Sequence, residues 1–423
     1  MPDAKRFLFV MWDGGGNVPP ELAVARRLVL RGHSVRVLGD PTLEAEVRAA
    51  GCAFSPWTTA PHRTTRDRSD DVFKDYQYTN PLKMMDAYLQ LFLAEPAPRW
   101  ISDTIAEIDA RPIDAVVVDF GIPAALVAVE KRQLPSAMLM PNIWIVPTPG
   151  IPPFGPGLMP AKGWPGRLRD AVLLRMTNRL FAKALPAINA ARASLGLAPM
   201  ATIYDQWLAV DHVLVQTLPS FDFTSDAMPK HVSYVGPELV DPAWSEPWRS
   251  PFAADDRRPL VLVGLGSTFQ NQAPLQQRIV DALAQLPVRA VVTLGPTIRP
   301  SEVTAADNVV VVQSAPHTQL LQEASLLVTH CGHGTTMKGL AAGVPLVCIP
   351  MGRDQNDTAA RVVHSGAGVR LKPTASVTDI SRAITRTLET PSFREAAAVF
   401  AQAIAARTGC ADAVERLESL VRQ

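Results

Sequence analysis

Cysteine is scarce in this chain and forms no recognisable framework. The four cysteines, Cys52, Cys331, Cys348 and Cys410, are scattered over 423 residues. Their spacing fits neither a zinc site nor the dense disulfide pattern of a small secreted domain. We therefore expect a protein of the reducing cytoplasm that binds no metal.

An excess of positive or negative charge is also missing. The chain has 41 Lys and Arg residues against 40 Asp and Glu residues, which excludes a general electrostatic attraction to nucleic acid. An unbroken hydrophobic run is absent too, because the apolar stretch 137–160 is interrupted repeatedly by proline and makes a poor transmembrane helix. The apolar run 7–12 is too short, and wrongly flanked, for a signal peptide.

Hydrophobic residues make up 47% of the chain, and its length suits two large cores. Strand-like runs alternate with helix-like segments in both halves, which predicts α/β domains with parallel sheets. The first half has predicted strands at 7–12, 34–38 and 115–119 and a helix at 21–31. The second half has predicted strands at 260–264, 290–294, 309–312, 326–329 and 346–349.

The composition changes between these halves. Residues 236–259 are rich in Pro, Trp and charge, and we interpret them as a linker. The linker separates a predicted Rossmann-like domain at residues 1–235 from a second one at residues 260–390. The last segment, residues 391–423, has a helical pattern.

The most informative stretch follows the predicted strand 326–329. It reads His330-Cys331-Gly332-His333-Gly334-Thr335-Thr336, and Gly343-Val344-Pro345 and Asp354-Gln355 come after it. A strand that ends in such a turn and restarts as a helix presents free backbone N–H groups, which favour a phosphate. The pattern predicts a phosphate site with a carboxylate and an amide nearby that suit sugar hydroxyls.

This stretch resembles the donor-binding signature of the family 1 nucleotide-sugar-dependent glycosyltransferases, in particular the bacterial enzymes that act on macrolides and other antibiotics. The resemblance implies the GT-B fold, an α/β architecture in which two Rossmann-like domains with parallel sheets face each other across a cleft. The first domain would bind the acceptor and the second the nucleotide sugar, with residues 391–423 packing back toward the first domain. No cofactor is implied, because the nucleotide sugar is a co-substrate, and the reaction needs no metal.

The resemblance also implies, position by position, which residues bind the donor. They are Gly266, Ser267, Thr268, Ser314, Ala315, His317, His330, Gly332, His333, Gly334, Thr335, Lys338, Asp354 and Gln355. A plain surface position is the alternative for His317, and a helix N-cap is the alternative for Asp354.

Two of these positions depart from the family pattern. Many relatives have an aromatic residue that stacks on the nucleobase where this chain has Ser314. They have a glutamate that accepts from the ribose hydroxyls where this chain has Lys338, which only donates. We expect base stacking to come from elsewhere or to be weak, and Lys338 to face the diphosphate or solvent.

A third departure concerns catalysis. Relatives have a histidine in the N-terminal loop that deprotonates the acceptor, and the matching position here is Asn17, whose amide does not titrate. Asp119, which would orient that histidine, is retained. Asp13 in the same loop is either a replacement base or a simple turn residue. The candidate catalytic residues are therefore Asp13, Asn17 and Asp119.

The sequence thus predicts an inverting glycosyltransferase that moves a sugar from a UDP- or dTDP-linked donor to a small lipophilic acceptor, such as a natural-product or phenolic aglycone. The acceptor site is predicted at Tyr76, Met84, Met140 and Trp144. The glycosylated atom (oxygen, nitrogen or carbon) and a homodimer are left open.

Three alternatives differ in class. The loss of both the base and the ribose glutamate would also suit a catalytically impaired binding or auxiliary protein on the same fold. A sugar-nucleotide 2-epimerase would leave the acceptor-type N-terminal loop unexplained. A dinucleotide dehydrogenase is disfavoured because the run Gly14-Gly15-Gly16 lacks the spacing of the dinucleotide fingerprint.

Overall fold

The computed structural model describes residues 4–78 and 80–421, and the outermost residues of the predicted terminal segments, 1–3 and 422–423, lie outside the described part. The first sheet contains β1 (Arg6–Val10), β2 (Ser34–Gly39), β3 (Ala53–Pro56), β4 (Ala115–Asp119), β5 (Ser136–Met140), β6 (His212–Val215) and β7 (Val232–Tyr234). The second sheet contains β8 (Leu260–Gly264), β9 (Arg289–Thr293), β10 (Val309–Val312), β11 (Ala324–Thr329), β12 (Leu346–Cys348) and β13 (Gly368–Arg370).

Helices connect and cover these strands. Those before β8 are α1 (Val18–Leu30), α2 (Glu44–Ala49), α3 (Pro81–Tyr88), α4 (Ala97–Ala110), α5 (Ala124–Arg132), α6 (Gly163–Phe181), α7 (Leu185–Ser194) and α8 (Tyr204–Leu208). Those after it are α9 (Ala273–Leu283), α10 (His317–Leu320), α11 (His333–Ala341), α12 (Gln355–His364), α13 (Val377–Glu389), α14 (Pro391–Ala405) and α15 (Ala413–Leu420). None of the helices in residues 4–78 and 80–421 is long and apolar enough to cross a bilayer.

Both sheets are parallel throughout. Their strand orders are β3-β2-β1-β4-β5-β6-β7 and β10-β9-β8-β11-β12-β13. The central strands β4 and β8 are buried along their whole length, because helices cover both faces of each sheet and each face has its own hydrophobic cluster. The predicted α/β architecture with two parallel sheets is confirmed.

The loops that follow β1 of the first sheet and β8 of the second sheet meet in a closed cleft. A Cβ built on Gly15, in the loop after β1, would lie 2.6 Å from Ser267 Oγ in the loop after β8. A Cβ built on Gly334 at the start of α11 would lie 4.0 Å from the Gly16 carbonyl oxygen. Gly15 also has a φ of +83°, so both its conformation and the close approach require glycine.

The C-terminal helices contact both domains, and the Phe400 ring of α14 lies 5.8 Å from that of Phe221 in the first domain. Helix α14 buries Ala397, Phe400 and Ile404 and packs against α11 of the second domain. These three residues are spaced along one helical face, and that face fits the second core. Helix α15 buries Val414 and Leu417 in the cluster under the first sheet, next to α1.

A buried ion pair joins the two domains. Arg361 on α12 donates through Nε to Asp222 Oδ1 at 2.6 Å, and the two side chains are 4% and 0% exposed. The Asp222 carboxylate also accepts from the Trp144 amide at 2.7 Å and from the Tyr234 hydroxyl at 3.0 Å. These contacts fasten α12, which carries the predicted sugar-binding pair at its start, to the segments that follow β5 and β6.

Candidate active site

The position of the missing base is occupied by an amide held on a carboxylate. Asn17 Nδ2 donates to Asp119 Oδ2 at 2.5 Å and to the Trp12 carbonyl at 3.0 Å. Asp119 also accepts from Trp12 Nε1 at 3.2 Å and from the Gly121 amide at 2.5 Å. The structure therefore brings Asn17 and Asp119 together at the ends of β1 and β4. Asn17 Oδ1 is buried and has no hydrogen-bond partner among the described residues.

Glu21 is a neighbour of this pair that the sequence analysis missed. It lies on the first turn of α1 and is 1% exposed. Burial, followed by the negative charge of Asp119, raises the pKa of Glu21 well above its usual value. Burial also raises the pKa of Asp119, but the hydrogen bonds from Glu21, Asn17, Gly121 and Trp12 oppose this effect, so the pair favours the proton on Glu21 and the negative charge on Asp119. Only the position of Glu21 four residues after Asn17, one helical turn away, could have indicated this contact.

The contacts of Asp13 favour its turn role, and its role as a replacement base stays a prediction. Its carboxylate accepts from Thr42 Oγ1 at 2.7 Å, from Arg66 Nε at 3.2 Å and from the Gly15 amide at 3.2 Å. These three donors engage the Asp13 carboxylate within the first domain. These bonds give Asp13 the turn role that was its alternative, since they hold the glycine loop against the rest of the first domain.

Aromatic rings form an apolar wall beside the Asn17–Asp119 pair. Trp12 lies 4.7 Å from Phe92 between ring centroids, Phe92 lies 5.4 Å from Tyr88, and Tyr88 lies 5.4 Å from Phe73. Burial and the charge of Asp119 raise the pKa of Tyr88, so its hydroxyl stays protonated. Three of these rings, Trp12, Tyr88 and Phe73, are half-buried, and the buried Phe92 supports them from behind. Three rings next to a polar pair make a surface that suits a flat lipophilic molecule.

Three of the four predicted acceptor residues lie elsewhere, and this is a correction. Met140 and Trp144 are 0% and 1% exposed in the core of the first domain, because β5 and the loop after it pass through its centre. Tyr76 packs against the second domain, with its ring 4.7 Å from that of Phe269. Met84 is half-buried on α3, and its role stays a prediction.

The signature loop and α11 form the predicted helix N-terminus. The first helical hydrogen bond runs from the Thr336 amide to the Gly332 carbonyl at 3.0 Å, so the amides of residues 333–335 precede the regular pattern. Gly332 is the N-cap, and its position leaves no room for a side chain because a Cβ there would lie 2.6 Å from His330 Nε2. Thr335 is half-buried in the same turn. The arrangement can hold an anion.

His330 is buried between the two donor loops. A Cβ on Gly266, where φ is +102°, would lie 3.0 Å from His330 Nε2. His330 Nδ1 faces the Gly264 carbonyl oxygen at 3.4 Å, an acceptor that assigns the ring proton to Nδ1 and leaves Nε2 as an acceptor in the neutral ring. Burial lowers the pKa of His330 to about 4, so the ring is neutral at neutral pH.

The other two histidines predicted in the donor site are also neutral, and His333 is buried while His317 is half-buried. Burial lowers the pKa of His333 to about 3, and the charge of Arg361 adds to this effect. His333 Nε2 has no hydrogen-bond partner among the described residues. Burial lowers the pKa of His317 to about 4, and its Nε2 lies 2.9 Å from Thr293 Oγ1. The surface alternative for His317 is therefore wrong, since the ring packs beneath the end of β9.

The loop after β8 is bound to the first domain through an arginine that the sequence analysis missed. Arg353 NH1 donates to Thr268 Oγ1 at 2.7 Å, and Arg353 Nε donates to Asp75 Oδ2 at 2.7 Å. Arg353 has a φ of +56°, a conformation that non-glycine residues adopt rarely and that is common at functional sites. Ser267 lines the cleft in the same loop.

The predicted sugar-binding pair divides into two roles. Gln355 Oε1 accepts from the Met351 amide at 2.7 Å, and Gln355 Nε2 donates to Gln270 Oε1 at 2.6 Å. Gln355 thus holds the loop, which corrects the expectation that its amide is directed at the sugar. Asp354 occupies the N-cap position of α12 but makes no capping hydrogen bond. Its carboxylate is hydrogen-bonded to the Asn142 side chain of the first domain, and its contact with sugar hydroxyls stays a prediction. Burial raises its pKa to about 6.

Ser314 and Lys338, the two donor-site positions that depart from the family pattern, have hydrogen-bond partners in the linker. Lys338 Nζ donates to Asp241 Oδ1 at 2.7 Å, which corrects the expectation that Lys338 faces the diphosphate or solvent. Ser314 Oγ accepts from the Glu246 amide at 3.0 Å and donates to the Trp244 carbonyl at 3.3 Å. Ala315 is 4% exposed in the core of the second domain, and the predicted contact of its backbone with the base stays a prediction.

Known proteins resemble this chain over most of its length. Residues 277–420 match the family described as Erythromycin biosynthesis protein CIII-like, C-terminal domain. The demethyllactenocin mycarosyltransferase of Streptomyces fradiae is 26% identical over 86% of this chain and 75% of its own. The 4'-demethylrebeccamycin synthase of Lentzea aerocolonigenes is 31% identical over 98% of this chain and 99% of its own. The chain belongs to the natural-product glycosyltransferases.

Solved structures of natural-product glycosyltransferases share this fold. The glycosyltransferase of kitacinnamycin superposes with a TM-score of 0.78 at 24% identity and covers 99% of this chain and 100% of its own. The calicheamicin glycosyltransferase CalG4 superposes with a TM-score of 0.75 at 20% identity, covering 100% of this chain and 99% of its own. The predicted GT-B fold is confirmed. In residues 4–78 and 80–421 we find no group of three His, Cys, Asp or Glu residues that could hold a metal ion.

Proposed function

We propose that this natural-product glycosyltransferase transfers a sugar from a UDP- or dTDP-linked donor to a lipophilic acceptor with inversion at the anomeric carbon. The observation that carries the proposal is the meeting of the α11 N-terminus with the loop that holds Asn17, because a Cβ on Gly334 would lie only 4.0 Å from the Gly16 carbonyl. A diphosphate on the helix N-terminus would place the anomeric carbon beside the Asn17–Asp119 pair. VinC, a structural neighbour, was solved in complex with dTDP.

The chemistry follows from this arrangement. A lone pair of the acceptor forms the bond to the anomeric carbon, and the bond from that carbon to the diphosphate oxygen breaks with its electron pair on the leaving diphosphate. The helix N-terminus and its free amides stabilise the charge that develops there. We propose that neither a cofactor nor a metal takes part, because these groups already supply the positive potential.

The acceptor atom is one that can attack without a general base to deprotonate it. Asn17 cannot remove a proton, but its buried Oδ1 has no partner in the described part of the chain and can accept a hydrogen bond from N–H or O–H. This suits an amine, whose free lone pair forms the bond before the proton is lost to water, or an acidic phenol that reacts ionised. The half-buried rings of Trp12, Phe73 and Tyr88 would hold the apolar body of the molecule.

Calorimetric titration with UDP, dTDP and GDP, first in EDTA and then with Mg²⁺, tests the donor half of the proposal. We expect one of these nucleotides to bind in EDTA. The matched variant Thr335→Val, which keeps the side-chain shape and removes a hydroxyl at the helix N-terminus, should weaken that binding by about fivefold to tenfold. If the wild-type protein binds none of the three nucleotides under either condition, the non-catalytic alternative replaces this proposal.

Product analysis tests the acceptor half. The nucleotide selected by calorimetry is supplied as its glucose conjugate with two flat acceptors of similar size, one carrying an amine and one an acidic phenol. Mass spectrometry should detect a glucoside of at least one, and the proton coupling at the anomeric carbon should show the opposite anomer to the donor. Retention of the donor anomer would rule out inversion.

Donor binding should also take up a proton. Neutral His330 presents an acceptor at Nε2, so it can donate to a diphosphate only when protonated, and a bound diphosphate raises its pKa from about 4. Because the pKa is higher in the complex than in the free protein, binding should become tighter as pH falls from the pKa of the complex toward about 4, by up to about tenfold per pH unit.

The measurement is the affinity for UDP-glucose or dTDP-glucose between pH 8 and pH 5.5 by calorimetry in two buffers of different ionisation heat. An intact nucleotide sugar is used because its phosphate diesters do not titrate in this range. The variant His330→Asn keeps a donor and removes the titration, so its affinity should be flat with pH. A flat wild-type profile without proton uptake would remove His330 from the diphosphate site.

A further inference from the structure

The linker folds onto the second domain at the two positions where this chain departs from the family pattern. We call residues 241–246 the linker strap. At one end Asp241 accepts from Lys338 Nζ at 2.7 Å and from the Thr318 amide at 3.1 Å. At the other end Ser314 Oγ bonds to the backbone of Trp244 and Glu246. Both departures are therefore explained by one feature, because each of these side chains now holds the strap.

The strap is firmly attached. The side chains of Lys338 and Asp241 are 10% and 13% exposed, so their attraction is only weakly screened by water, and breaking the pair would leave a poorly solvated charge on each side. The Ser314 hydroxyl uses both its donor and its acceptor capacity on the strap backbone. Residues 241–246 thus behave as part of the second domain rather than as a loose connection.

This attachment places an aromatic residue in the cleft. Trp244 is half-buried and lines the cavity between the domains. The same cavity is lined by Ser267 and Pro296 of the second domain and by Val18 and Pro19 of the first. Ser267 follows Gly266, which contacts His330 of the signature loop, and Pro296 follows β9. Trp244 is therefore positioned between the anion-binding loops and the segment where the family pattern puts the nucleobase.

We infer that Trp244 of the linker strap is the platform on which the nucleobase of the donor stacks, with Ser314 and Lys338 as positioning residues that hold the strap in place. This rests on the proposed function. An indole ring offers a flat apolar face to any base, so it can replace an aromatic residue that position 314 lacks. The base-binding surface has moved from the end of β10 to the connection between the domains.

Calorimetry with the tighter-binding of UDP and dTDP, and separately with inorganic pyrophosphate, tests the inference. Pyrophosphate shares the diphosphate and lacks the base. We expect Trp244→Ala to weaken nucleotide binding by about tenfold to a hundredfold, as for loss of one stacked base, and to leave pyrophosphate binding unchanged. Trp244→Phe should retain most of the affinity. The matched control Trp164→Ala changes a tryptophan that is 69% exposed on α6 and should bind both ligands as the wild type does.

The other outcomes are distinguishable. Suppose that the wild-type protein binds the nucleotide and that Trp244→Ala binds it equally tightly. The inference then fails and the proposed function stands. Tighter binding by the variant would mean that the strap blocks the nucleoside site, which also overturns the inference. If the wild-type protein binds pyrophosphate but neither nucleotide, both the inference and the proposed function fail.

Ser314 provides an independent readout. Ser314→Ala should release the strap and lower nucleotide affinity relative to pyrophosphate affinity, and Ser314→Thr, which keeps the hydroxyl, should restore the ratio. If the role of Ser314 were purely structural, the substitutions would lower the melting temperature without changing the ratio of nucleotide affinity to pyrophosphate affinity. An unchanged ratio in Ser314→Ala would remove Ser314 as a positioning residue.

Discussion

Replacing Asn17 with histidine should create a base where this chain has none. Asn17 already lies 2.5 Å from Asp119 Oδ2, so a histidine there would donate one ring N–H to Asp119 and turn its other nitrogen toward the position of Asn17 Oδ1. A positioned general base contributes about 10²- to 10⁴-fold. We expect an increase of that order in the turnover of an alcohol acceptor and little change for an acidic phenol.

The pH profile identifies the cause of the increase. Asn17→His should introduce a limb in which the rate with the alcohol acceptor rises with pH and levels off once the imidazole is neutral, because only the neutral ring accepts a proton. Adding Asp119→Asn in the same chain should abolish the gain. Turnover of the alcohol that stays at the wild-type level, with the donor still bound, would show that the acceptor does not approach residue 17.

Arg361→Met should cost about 3–5 kcal/mol of unfolding free energy, which is the usual penalty for removing one partner of a buried ion pair. Asp222 is 0% exposed and would lose its charged partner. Its remaining donors, the Trp144 and Phe223 amides and the Tyr234 hydroxyl, are neutral and offset only part of that loss. The measurement is urea unfolding followed by fluorescence and by circular dichroism.

Arg382→Met is the matched control. Arg382 pairs with Asp379 on α13 at 3.4 Å, but the two side chains are 74% and 52% exposed. Exposed pairs contribute at most about 1 kcal/mol, so this variant should unfold almost as the wild type does. If the two variants had the same free energy of unfolding, the charge of Asp222 would be solvated or unpaired in solution.

The strands could be predicted closely because parallel strands covered on both faces are continuous apolar runs. The predictions at residues 115–119, 260–264 and 309–312 coincide with β4, β8 and β10, and β11 begins two residues before the predicted 326. The glycine-rich turn that starts α11 could be predicted for a similar reason, since its glycines and the adjoining helix are local in sequence.

Contacts between distant segments could not be predicted. Arg353, Trp244 and Glu21 act on groups that are brought near only when the domains fold and meet, and none of them lies in a periodic pattern. Met140 and Trp144 were misplaced for a related reason, because apolar residues beside prolines suit a ligand wall and a core equally well. Ser314 and Lys338 could be recognised as departures, but their partners in the linker could not.

The chain passes between the domains twice, and both passages lie side by side. Glu238 near the start of the linker pairs with Arg27 of α1 and with Arg407, which follows α14. A Cβ on Gly236 would lie 3.5 Å from Cys410 Sγ, so the second passage runs beside the first. Two tethers at one place favour rotation of the domains about that place over sliding. We therefore expect opening of the cleft to separate Gly15 from Ser267, with the linker strap moving together with the second domain.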